Sequence, residues 1–105
     1  MTSSSLIEKV VAHARVLGEL GHRKTLLTDE LKSLRLQIED ERDFAKSLPY
    51  FSTLSSDHKR DLKRSIKEGI ERADRMKFLT QQELESVKHL TSKVEKELAE
   101  FVARS

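Results

Sequence analysis

Five cations recur at helical spacing in one stretch of the chain: Lys59, Arg60, Lys63, Arg64 and Lys67. Steps of three and four residues put such side chains on one helix face over about two turns, where positive charge can hold phosphates, acidic lipid or an acidic protein surface. Arg72 and Arg75 extend the row less regularly. Asp57, Asp61, Glu68, Glu71 and Asp74 are interleaved with it, and Tyr50 and Phe51 are the nearby aromatics that would stack on bases. A solvated, charge-mixed face is the simpler account. A nucleic-acid-associated module using residues 58–67 is the alternative.

Immediately before this row, Leu48, Tyr50, Phe51 and Leu54 place four apolar side chains in a connection, where polar residues are normal. Such residues either cap the end of a fold or contact a partner. Phe44, one helical turn earlier, can join them in either role. Leu48, Tyr50, Phe51 and Leu54 with Lys59, Arg60, Lys63, Arg64 and Lys67 are therefore the candidate partner-binding residues: an apolar anchor ringed by positive charge.

Other chemistry has little support. His13, His22, His58 and His89 include no pair at the three- or four-residue spacing that would converge on a metal, and the absence of cysteine removes disulfides, thiolate metal sites and thiol catalysis together. There is no Gly-rich phosphate loop and no Gly-framed nucleophile, and the carboxylates are mixed with Lys and Arg as on a solvated face. No enzymatic activity, cofactor or metal is expected.

The elements that must position these residues follow from composition and period. Of 105 residues, 36% are charged and 36% apolar, with three Gly, one Pro and no Trp; Leu, Glu, Lys and Arg dominate, as in long helices and coiled coils. One all-helical domain over residues 1–105 is predicted. Net charge is only +2, but residues 51–80 carry eight basic and five acidic side chains, so the positive excess is local. No run reaches the roughly 18–20 apolar residues of a membrane span, and the start has neither the basic flank nor the apolar core of a leader. A cytoplasmic or otherwise intracellular setting is expected.

Leu6, Val10, His13, Leu17, Leu20, Lys24, Leu27, Leu31, Leu34, Ile38, Glu41, Ala45 and Leu48 alternate steps of four and three, the seam of a coiled-coil helix. Ser5 and Glu8 have capping-box spacing, which predicts a continuous helix over about 6–48, with Gly18 and Gly21 as a place for a bend near 18–22 and a break there as the alternative. The polar seam residues His13, Lys24 and Glu41 are read as setting register, with a pH-sensitive element the alternative for His13 and Lys24 snorkelling or pairing across the seam. Pro49 ends this helix and opens a turn over 49–56. With Ser56 or Asp57 as cap, a second helix over about 57–103 carries Leu62, Ile66, Ile70, Ala73, Lys77, Thr80, Leu84, Val87, Thr91, Val94, Leu98 and Phe101. Capping-box spacing at Thr80–Glu83 competes with continuity and marks a possible bend near residue 79.

Two helices of similar length joined by a short turn predict an antiparallel hairpin. Each helix then keeps apolar residues beside its seam: Ile7, Val11, Leu26 and Leu36 on the first, and Met76, Leu90 and Val102 on the second. Covering them calls for a homodimer, a larger helical assembly or another protein partner, completing a bundle. A non-enzymatic interaction or structural module is the expected function.

Overall fold

The computed structural model describes residues 3–104; Met1, Thr2 and Ser105 lie outside the described residues. The chain forms α1 (Ser3–Ser47), a 3₁₀ turn (Leu48–Tyr50) and α2 (Ser56–Arg104), with no strand among the described residues. It is an all-α hairpin of two long antiparallel helices.

α1 is already helical at Ser3, so Ser5 sits inside the helix and does not cap it. Nothing between Ser3 and Leu6 breaks a helix, and a serine costs only about half a kcal/mol relative to alanine there. Gly18 and Gly21 are helical without positive φ, and α1 is unbroken through them. α1 stops at Ser47 because Pro49 has no N–H to donate back to the helix and crowds the backbone of Leu48. The chain tightens into the 3₁₀ turn, closed by the Phe51 N–H donating to the Leu48 carbonyl at 3.1 Å.

The cap of α2 is Ser55, one residue before Ser56 and two before Asp57, the expected candidates. Its Oγ accepts the His58 N–H at 3.2 Å, and its carbonyl accepts the Lys59 N–H at 3.0 Å. A short hydroxyl reaches the amide of the third helical residue well. Asp57 is thereby left in the first turn, where its carboxylate complements the helix dipole and pairs with Arg60. Thr80 is buried inside α2 and not at a cap, so α2 is one helix through residue 79.

The chain divides into two compact units. The turn unit, Asp29–Gln81, buries Leu31, Ile38, Leu48, Ala73 and Thr80, with Leu34, Ala45, Leu54, Leu62, Ile66 and Ile70 half-buried around them. The terminal unit, Met1–Thr28 with Gln82–Ser105, buries Leu27, Leu84, Val87 and Val94 and half-buries Leu6, Val10, Leu17, Leu20, Leu98 and Phe101. Within it, His13 pairs with Glu97 and Arg23 with Glu83, so the α2 number falls as the α1 number rises. Fully burying a leucine such as Leu27 contributes about 1.5–3 kcal/mol.

Every expected seam position except Lys24 is buried or half-buried. Lys24 is exposed, its long stem carrying the ammonium to water. The cation that crosses the seam is its neighbour Arg23, whose Nε donates to Glu83 Oε1 at 3.1 Å.

Candidate functional site

The 3₁₀ turn and the first turns of α2 enclose an open cleft of about 440 Å³ in the turn unit, lined by Leu48, Pro49, Ser56, Lys59, Arg60 and Lys63. Proline brings Pro49 against the start of α2, because the turn it forces reverses the chain within a few residues. Leu48 is fully buried and lies at the base of the cleft. Lys59 is half-buried, and its Nζ donates to the Pro49 carbonyl at 3.4 Å, tying one wall to the other. Arg60 is paired with Asp57. Lys63 is exposed one turn beyond Lys59 and forms no ion pair among the described residues.

The remaining candidates are not gathered there. Arg64 and Lys67 are exposed along α2 outside the cleft, and Leu54 is half-buried in the turn. Phe51 packs on Phe44, their ring centroids 5.9 Å apart and tilted by 47°. Tyr50 is 85% exposed. The structure thus separates the nine residues into a buried pin (Leu48), the half-buried Leu54, a cleft with three cations, an aromatic pair that Phe51 forms with Phe44, and three side chains standing in solvent, Tyr50, Arg64 and Lys67.

A second open groove of about 430 Å³ in the turn unit has a different character. Its lining contains Arg35, Arg42, Lys46 and Lys77 together with Glu39, Asp43 and Asp74. Neither sign prevails there, as on a solvated helix face.

Two of the polar seam residues, His13 and Glu41, have neighbours that the one-dimensional pattern does not give. In the terminal unit, His13 Nδ1 lies 2.9 Å from the Lys9 carbonyl and Nε2 lies 3.1 Å from Glu97 Oε2. Both partners are acceptors, so only the protonated ring donates to both. The Lys9 carbonyl first, and then the Glu97 carboxylate, raise the His13 pKa above its ordinary 6.5, while partial burial opposes them. Phe101 meets the His13 ring edge to face at 4.9 Å and takes the Lys9 ammonium 5.7 Å from its centroid.

In the turn unit, the Glu41 carboxylate packs over Gly69. Its Oε2 is buried without a hydrogen-bond partner, and a Cβ at Gly69 would lie 3.0 and 3.1 Å from its two oxygens. The one-dimensional pattern does not single out this close approach, since Gly18 and Gly21 are equally interior to a helix and a Cβ there meets nothing within 4 Å.

Among the described residues no three His, Asp or Glu side chains are grouped to hold a metal ion, and no helix is long and apolar enough to cross a membrane. Comparison with protein-family models, curated proteins and solved structures finds no match to this chain.

Proposed function

We propose that this chain is a non-enzymatic protein-interaction module, a small helical subunit that completes a bundle with a second copy or another helical protein. The observation that carries this reading is how much apolar side chain is left in water. Among the described residues, eight apolar residues are buried, whereas thirteen large ones are exposed, including Ile7, Leu36, Phe78, Leu79 and Val102 at more than half of their surface. Isolated exposed leucines are ordinary, but this inversion of buried and exposed is not.

The test is the concentration dependence of thermal unfolding. An associating chain melts at higher temperature as its concentration rises, because assembly binds the folded form alone. Replacing Leu36, Phe78 and Leu79 together by Gln should weaken that dependence while leaving the helix content intact. A melting temperature independent of concentration, unchanged by the triple substitution, would refute self-assembly.

A further inference from the structure

We propose that the cleft between the 3₁₀ turn and the start of α2 receives a short acidic segment of a protein partner, seating one apolar side chain between carboxylates that meet Lys59, Arg60 and Lys63. The proposal rests on the interaction-module reading and names the partner chemistry for one site. Its first support is charge complementarity. The cleft lining contains three cations and no anion, whereas the other large groove of the same unit mixes both signs. Asp57 offsets part of the Arg60 charge, but Lys63 is left without an ion pair among the described residues.

The second support is the apolar interior of a site rimmed by charge. Pro49 and the aliphatic stems of Lys59, Arg60 and Lys63 form walls over the buried Leu48. A phosphate backbone has nothing to place against those walls, and no aromatic ring lines the cleft for a base to stack on. A peptide with an apolar side chain between acidic ones satisfies both features. The volume of about 440 Å³ lies in the lower part of the range of roughly 300–1,000 Å³ usual for pockets. It suits a few side chains.

The walls are also held in place before any partner arrives. Lys59 Nζ is bonded to the Pro49 carbonyl, Ser55 caps the His58 amide, and the Phe51 N–H closes the 3₁₀ turn on Leu48. A preformed site loses little freedom on binding. The cations speed encounter with an acidic segment, and the apolar side chain slows its departure.

The experiment titrates the full chain into three fluorescent probes: a synthetic peptide with one leucine flanked by glutamates, the same peptide with serine for leucine, and an oligothymidine. The leucine peptide should bind at least about tenfold more tightly than the serine peptide, the worth of burying one leucine. It should shift backbone amide signals of residues 48–63. Lys63→Glu should weaken it by about tenfold or more at unchanged helicity and melting temperature, since Lys63 is exposed and forms no ion pair among the described residues. Equal binding of the two peptides, tighter binding of oligothymidine, no binding of the leucine peptide, or shifts centred elsewhere would each overturn the proposal. If the leucine peptide fails to bind while unfolding still depends on concentration, the cleft is rejected and the interaction-module reading stands.

Discussion

In the turn unit, the α1 and α2 segments fit by shape: Leu48 is fully buried at the turn, and the Glu41 carboxylate packs where a Cβ on Gly69 would stand. In the terminal unit, polar contacts join the two segments beside the buried seam, His13 to Glu97 and Arg23 to Glu83, while Gly18 and Gly21 face open space. Both units bury the same three-four apolar seam. The seam tells a helix which face to bury, and it leaves open which residue of the other helix stands opposite. A closed turn solves that by sterics over a few residues. Helix segments far along the chain from the turn use directional bonds instead, and such bonds respond to pH and salt.

The largest expected effects come from the one fully buried leucine in each unit. Leu48→Ala and Leu27→Ala should each lose about 2–5 kcal/mol in urea unfolding. If Leu48→Ala falls within error of the parent, the turn is not pinned by this side chain and the comparison collapses.

A smaller contrast separates the glycines. Gly18→Ala and Gly21→Ala should each stabilise by about 0.5–1 kcal/mol, because both are helical and a new methyl meets nothing within 4 Å. Gly69→Ala should gain less than either, since the new methyl displaces the Glu41 carboxylate. Combining Gly69→Ala with Glu41→Ala should remove that conflict, a non-additivity read directly from a double-mutant cycle. Equal gains at all three glycines would show that Glu41 does not set the pairing.

The finest distinction is the pH response. The folded His13 pKa is raised by the Lys9 carbonyl and the Glu97 carboxylate. The stability it contributes is therefore complete below its ordinary value of 6.5 and is lost as pH rises through the raised folded value. Unfolding midpoints measured from about pH 5.5 to 8.5 should decline over that window in the parent and flatten in His13→Gln. Among the described residues, Lys9 and Glu97 are the charged residues in contact with this ring or with Phe101 beside it, so Glu97→Gln should flatten the profile as well. An unchanged slope in both variants would remove the polar tie from the account.

Much of the fold was legible because burying a stripe on a long helix leaves a one-dimensional signature. The seam from Leu6 to Leu48 and from Leu62 to Phe101 was readable residue by residue, and only Lys24 departs from it. Lysine fails the pattern because its stem is long enough to leave the seam without moving the backbone. The caps were less legible. Ser55, Ser56 and Asp57 are adjacent residues of similar capping strength, and only three-dimensional geometry shows that the Ser55 hydroxyl reaches the His58 amide.

At the candidate site, the grouping of Lys59, Arg60 and Lys63 beside Pro49 follows from helical spacing next to a proline turn. The burial of Leu48 and the exposure of Tyr50 do not, since an apolar residue in a turn has no periodicity to declare its side. Contacts such as Glu41 with Gly69 depend on the register between two distant segments, which neither segment encodes alone.

Self-assembly is read most simply from the mass of the chain in solution, by static light scattering over a wide concentration range. The apolar side chains left exposed in both units predict a mass that rises above 12.1 kDa with concentration toward that of a small assembly. A mass fixed at the monomer value across the whole range, with a cooperative melt, would contradict self-assembly of these helices.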